Sequence, residues 1–125
     1  MKLLFILMAL PMLASTCKKS KDTEKYGYLR GKVVRSTCAS FVIQVLNDDS
    51  IGDDGWKDIM HSNKEYDNVF SVINECTLPD EVKNSGNSTL VFKIREVTAG
   101  GCAFCQIYDA APNAKYDIID VSVEK

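Results

Sequence analysis

The residues of this chain best able to do chemistry are four of its five cysteines, Cys38, Cys76, Cys102 and Cys105. An even number of cysteines in a small domain is typical of a fold braced by disulfides, provided that the protein is exported to an oxidising compartment. Four cysteines permit three pairings. Because Cys102 and Cys105 stand where a predicted strand begins, we expect each of them to pair with Cys38 or Cys76, and the sequence leaves open which.

The Cys-x-x-Cys spacing of Cys102 and Cys105 allows two alternatives. A redox pair normally lies between a strand and a long helix, whereas a β-type segment follows here. Four thiolates could instead bind zinc, but Cys38 and Cys76 lack the close spacing of a second zinc knuckle. Gln106 stands where a c-type haem site needs histidine. We therefore expect two disulfides and no metal or other cofactor.

Catalytic groups are scarce in the rest of the chain. His61 is the only histidine, in the context "IMHSNK", and we expect it on the surface after a short helical turn. The sequence has no Gly-x-Ser-x-Gly, phosphate-binding glycine loop or His-Glu-x-x-His. These observations favour a protein that is not an enzyme.

The acidic segment "NDDSIGDDGW" offers carboxylates at Asp48, Asp49, Asp53 and Asp54 that could bind Ca²⁺. Its spacing lacks the alternating acids and distant glutamate of an EF-hand loop, so a solvated hairpin loop is favoured. Trp56 ends the segment. We interpret it as a core anchor, with an exposed stacking surface for a sugar or peptide as the alternative.

The region after Tyr26 has the period-two alternation and the β-branched residues of strands. In the clearest strand, Leu90, Phe92 and Ile94 face a core and Lys93 and Arg95 face water. The predicted strands are Tyr28–Ser36, Ser40–Asn47, Asn68–Glu75, Thr89–Val97, Phe104–Asp109 and Tyr116–Val123.

Two short helical turns are predicted. One covers Asp53–His61, where Trp56, Ile59 and Met60 would share one face, and the other covers Leu78–Asn84, where Pro79 suits a first turn. Five or six strands with a short helix after the third predict an all-β domain. This order resembles the small OB-fold barrel, with a β-sandwich as the alternative. One domain, residues 26–125, accounts for the whole region.

Composition limits the partners. Hydrophobic residues make up 46% of the chain, which indicates a packed core rather than disorder. The net charge is −2, and the only cluster of basic residues is the short one formed by Lys18, Lys19 and Lys21. A nucleic-acid partner is therefore not expected.

The N-terminus has the parts of an export signal: Lys2, an apolar run from Leu3 to Leu13, and small residues before Cys17. The run is too short to span a bilayer. The stretch Leu13-Ala14-Ser15-Thr16-Cys17 resembles the lipobox of bacterial lipoproteins, although Ala14 and Thr16 depart from its common pattern. The resemblance implies that residues 1–16 are a signal peptide and that Cys17 carries a diacylglyceryl group and fatty acyl chains such as palmitate.

Residues 17–25 contain no apolar side chain after Cys17, which predicts a flexible tether. With the leader and the cysteine-containing β-domain, the tether makes the chain resemble small lipoproteins of the Bacteroidota. This resemblance implies a lipid anchor in the bacterial outer membrane, with the domain periplasmic or surface-exposed. Asp49-Ser50-Ile51 is similar to the O-glycosylation motif of such proteins, which implies a possible sugar on Ser50.

The sequence thus predicts a membrane-anchored, non-catalytic lipoprotein that binds an unknown protein or small ligand or has a structural role in the envelope. Two other functions are left open. One is a thiol-disulfide protein that uses Cys102 and Cys105. The other is a small hydrolase inhibitor that inserts "TAGGC" or "NDDSIGDDGW" into an enzyme.

Overall fold

The architecture is that of a small closed β-barrel, seen in a computed structural model that describes residues 26–98, 102–103, 105 and 109–125. Most of the described regular structure is in strands, as the period-two pattern predicts. In chain order the elements are β1 (Leu29–Ser36), β2 (Phe41–Val45), β3 (Trp56–Lys57), β4 (Glu65–Tyr66), β5 (Val69–Val72), a 3-10 helix (Glu75–Thr77), α1 (Asp80–Lys83), β6 (Leu90–Arg95) and β7 (Lys115–Val123).

Five strands close the barrel in the order β1-β2-β5-β7-β6, and β6 returns to β1. All neighbours are antiparallel except β5 and β7, which run parallel. The helical residues lie between β5 and β6 in the chain. The predicted all-β, OB-like barrel is confirmed, and the β-sandwich alternative is wrong because the sheet closes on itself.

The core follows the predicted alternation. Leu90, Phe92 and Ile94 of β6 are buried, while Lys93 and Arg95 on the other face of the strand are half-buried. Burying large aliphatic and aromatic side chains is the main favourable contribution to a fold of this size. The other buried apolar residues are Leu29, Phe41, Val42, Ile43, Val45, Ile51, Val69, Phe70, Val72, Leu78, Val82 and Ile118.

The two predicted helical turns have different outcomes. Asp80–Lys83 is helical, with Pro79 as its N-cap residue and Val82 buried. The turn over Asp53–His61 is wrong, because Trp56–Lys57 instead pairs with Glu65–Tyr66 in a two-stranded hairpin. Ile59 and Met60, expected to share an apolar helix face with Trp56, are exposed.

The predicted strand Phe104–Asp109 falls largely outside the described residues, since only Cys105 and Asp109 of it are described. No helix within the described part of the chain has the length and hydropathy needed to cross a bilayer.

Gly31 lies where β1 passes between β2 and β6, and the barrel leaves no room for a side chain there. A β-carbon on Gly31 would lie 2.7 Å from the Gln44 carbonyl oxygen, 2.8 Å from Cγ2 of Ile43 and 3.0 Å from Cε1 of Phe92. Gly31→Ala should therefore lower the free energy of unfolding in urea by about 1–3 kcal/mol. Gly27→Ala is the matched control, because nothing lies within 4 Å of its β-carbon position. Equal stability of the two variants would contradict the packing.

Candidate functional site

A buried ionic cluster joins the end of β1 to two loops. Arg35 Nη1 donates to Asp58 Oδ1 at 2.8 Å, and Arg35 Nη2 lies 2.9 Å from Asp109 Oδ1. The three side chains are 3%, 1% and 6% exposed. A buried charge is tolerated only when it is paired and hydrogen-bonded. We call these residues the Arg35 network, and none of them was among the residues that the sequence singled out.

The loop between β1 and β2 completes the network with two hydroxyl groups. Thr37 Oγ1 and Ser40 Oγ donate to Asp109 Oδ2 at 2.7 and 2.8 Å, and Arg35 Nε donates to Ser40 Oγ at 2.9 Å. Thr37 Oγ1 also accepts the backbone N–H of Ser40, which fixes the turn. Both oxygens of Asp109 are thus engaged by groups from the β1–β2 segment.

A disulfide holds the same two segments together. Cys38 lies between Thr37 and Ser40 and is bonded to Cys105, with 5.5 Å between the α-carbons. The backbone N–H of Cys105 also donates to the Cys38 carbonyl oxygen at 3.2 Å. The covalent bond therefore keeps the segment that carries Asp109 beside the loop that binds it.

The second disulfide joins Cys76 to Cys102, with 5.7 Å between the α-carbons. The prediction that Cys102 and Cys105 each pair with a distant cysteine is confirmed, and the partners are now assigned. All four sulfurs are consumed in these bonds, so they are not thiolates available to zinc. Cys102 and Cys105 are likewise not bonded to each other.

Trp56 attaches the β3–β4 hairpin to the network. Its ring lies 4.9 Å from Arg35 Cζ, measured to the ring centroid, and its Nε1 donates to the Ala110 carbonyl oxygen at 3.1 Å. The ring also contacts Tyr66, at 6.1 Å between centroids. Trp56 is half-buried, so it anchors the hairpin to the barrel rather than filling the core. Its position over a guanidinium suits a cation–π contact.

His61 is exposed, as predicted, but it also reaches the network. Its Nε2 lies 3.3 Å from Asp109 Oδ1. Asp109 therefore lies between His61 and Ser40, whereas a nucleophilic triad needs the histidine between the carboxylate and the hydroxyl. The arrangement is suited to holding loops in place.

Asp58 also fixes the end of the hairpin, residues 59–63, which we call the hairpin tip. Its Oδ2 accepts from Ser62 Oγ at 3.1 Å, and its carbonyl oxygen accepts the N–H of Asn63 at 2.7 Å. Its own N–H donates to the Lys64 carbonyl oxygen at 2.8 Å. The hairpin tip is thus ordered by a residue that is itself held by buried Arg35.

The acidic segment uses its carboxylates internally. Asp53 Oδ2 accepts the N–H groups of Asn113 and Ala114 at 2.6 and 3.0 Å, and Asp54 Oδ1 accepts the Asn68 N–H at 3.1 Å. Ile51 is fully buried, which ties the segment down onto the barrel. Within the described residues, no group of three or more His, Cys, Asp or Glu side chains is arranged to hold a metal ion.

Of the two sequence-predicted modification sites, Ser50 is described and is not part of the Arg35 network. Ser50 is exposed, and its Oγ donates to Asp48 Oδ1 at 2.6 Å. This hydrogen bond, with a second from the Ser50 backbone, lowers the pKa of Asp48. Cys17 lies outside the described residues.

The Arg35 network makes the free energy of unfolding depend on pH in the acid range. Burial raises the pKa values of Asp58 and Asp109, but hydrogen bonds from Arg35 and Ser62 to Asp58, and from Thr37, Ser40 and His61 to Asp109, outweigh it. Both pKa values therefore fall below the ordinary 3.8. The two carboxylates contribute fully to the stability of the fold above pH 3.8, and this contribution is lost as the pH falls through their lower folded-state pKa values.

We expect the free energy of unfolding to fall on acidification below this pH, and the fall to be shallower in Asp58→Asn. Urea titrations across acid pH measure both slopes. Asp49→Asn, which removes an exposed carboxylate outside the network, serves as the control and should keep the parental slope. An Asp58→Asn slope equal to the parental one would contradict the assignment.

Sequence comparison adds no relationship. No protein-family model matches the chain, and no curated protein matches it in sequence.

Proposed function

We propose that this protein is an exported, lipid-anchored binding module without catalytic activity, held at the bacterial outer membrane through Cys17. The observation that carries the proposal is the pairing of cysteines. Cys38 with Cys105 and Cys76 with Cys102 consume every cysteine of the domain, which leaves Cys17 as the single unpaired one. Disulfides are typical of proteins in an oxidising compartment. Cys17 follows the export signal at the position where the resemblance to a lipobox places the lipidated residue.

The Arg35 network supports binding over catalysis. A general acid or base needs a titrating group that is free to exchange a proton with a substrate. Asp58 and Asp109 are instead buried and engaged by Arg35 and hydroxyl groups, which keep them ionised. Small barrels of this kind bind ligands with the loops after their first and fourth strands. Here the corresponding segments, after β1 and β6, are joined by Cys38–Cys105.

The other two functions have less support. A thiol-disulfide protein would need Cys102 and Cys105 bonded to each other, whereas each is bonded to a distant cysteine. A hydrolase inhibitor would need a projecting rigid loop. The segment "NDDSIGDDGW" is tied to the barrel through Ile51 and Asp53, and residues 99–101 of "TAGGC" lie outside the described residues.

The anchor is tested by Cys17→Ser in a bacterial host fed labelled palmitate. We expect the parent to incorporate the label and to fractionate with membranes, and the variant to incorporate none. Ser20→Ala, which changes a tether residue and leaves Cys17 intact, should behave as the parent does. A Cys17→Ser variant that remains labelled and membrane-bound would overturn the proposal.

A further inference from the structure

We propose that the hairpin tip docks onto the membrane that holds the lipid anchor, inserting Ile59 and Met60 at the boundary between headgroups and acyl chains. The inference rests on the proposed function. It names the surface of the domain that faces the bilayer.

The first support is the exposure of two consecutive apolar side chains. Ile59 and Met60 are 62% and 50% exposed, whereas the other large exposed apolar residues of the described chain, Tyr28, Leu46 and Val97, are separate in sequence. Exposed side chains of this kind gain free energy when they leave water. Two of them at the end of a hairpin form a small protrusion suited to a soft interface.

The second support is that the tip is already ordered. Asp58 accepts from Ser62 and Asn63 and is held by Arg35, so the tip loses little conformational freedom on contact. Ordering a loop is one of the main costs of association, and a pre-ordered loop avoids it.

The third support is the kind of charge beside the tip. Lys64 is exposed at the base of the hairpin tip, and Lys57 lies across the hairpin from Glu65. Lysine is depleted from protein–protein interfaces, whereas lysine beside apolar residues suits an anionic membrane surface. This combination favours a bilayer over a protein partner.

The fourth support is the short length of the chain between Cys17 and the barrel. Eight residues separate Cys17 from Tyr26, where the described structure begins, so these two residues can be at most about 32 Å apart. A domain of this size has a radius of gyration of about 13 Å. A lipid on Cys17 would therefore keep every face of the barrel close to the bilayer, and a weak apolar contact would suffice to select one face.

The test uses the mature lipoprotein in vesicles of phosphatidylethanolamine and phosphatidylglycerol that contain lipids brominated near the headgroup end of their acyl chains. Bromine quenches the fluorescence of tryptophan only when the two are in contact. Met60→Trp is compared with Leu46→Trp, which places the same ring at an equally exposed site, 49% accessible, next to β2. Trp56 gives both variants the same background.

We expect Met60→Trp to lose more fluorescence than Leu46→Trp and to shift its emission to the blue. Equal quenching, or stronger quenching of Leu46→Trp, would overturn the docking even when the protein floats with the vesicles, and a protein partner for the tip would then be favoured. A protein that does not float lacks the anchor, so the proposed function and this inference would fail together.

Discussion

Replacing Arg35 with methionine should lower the free energy of unfolding by about 3–5 kcal/mol, because Asp58 and Asp109 would stay buried without a cation. Urea unfolding with the disulfides intact measures the loss. Tryptophan emission reports the local effect, since Trp56 packs against the guanidinium and should shift to the red as the hairpin loosens.

The matched control is Arg30→Met, which breaks an exposed pair with Glu124 and should cost no more than about 1 kcal/mol. Arg35→Lys keeps the charge but lacks the planar fork that reaches Ser40, Asp58 and Asp109 together, so it should fall between the parent and Arg35→Met. Equal losses for Arg35→Met and Arg30→Met would contradict the structural role of the network.

Removing the Cys38–Cys105 disulfide should cost more than removing Cys76–Cys102. The bonds span 67 and 26 residues, and loop-closure entropy gives about 4 and about 3.5 kcal/mol respectively. Loss of the first bond also frees the segment that carries Asp109 from the loop that binds it. We therefore expect the measured difference in unfolding free energy to exceed the difference in loop entropy alone.

The comparison uses two double variants, Cys38→Ser/Cys105→Ser and Cys76→Ser/Cys102→Ser, each with its other bond intact. Combining the first pair with Arg35→Met should give less than the sum of the separate losses, because both changes disrupt the same contacts. Additive losses would show that the disulfide and the ion pairs act independently, which is the opposite of what the structure indicates.

The barrel could be predicted because the alternation of apolar and polar residues is visible within each single strand. Leu90, Phe92 and Ile94 alternate with charged residues, and all three are buried. The sequence predicts a helical turn in place of the hairpin because Trp56, Ile59 and Met60 have helical spacing. In the structure Ile59 and Met60 face solvent, and only Trp56 packs against the barrel.

The Arg35 network was harder to predict, because its members lie far apart in the chain and charged loop residues are usually solvated. The alternation in β1 does not reveal it, because a β-bulge between Val33 and Arg35 interrupts the period of two. Arg35 is paired with Val42, on the opposite face of the sheet from Ile43 of the core, and is buried there by the loops. A cation there requires buried carboxylates, but the sequence offers seventeen acidic residues and no way to choose Asp58 and Asp109.

These features give each part of the molecule a role in the proposed function. The barrel supplies a rigid body. The Cys38–Cys105 bond and the Arg35 network attach the β1–β2 loop, the segment that carries Asp109 and the β3–β4 hairpin to this body. The hairpin then presents its apolar tip. The proposed lipid on Cys17 would then set where this surface is displayed.

Mass spectrometry of the protein extracted from bacterial membranes would decide whether Cys17 carries a lipid anchor. We expect a mature chain that begins at Cys17, carries a mass increase on that residue matching a diacylglyceryl group with acyl chains, and retains two intact disulfides. A mature chain that begins elsewhere, or that begins at an unmodified Cys17, would contradict the lipid anchor.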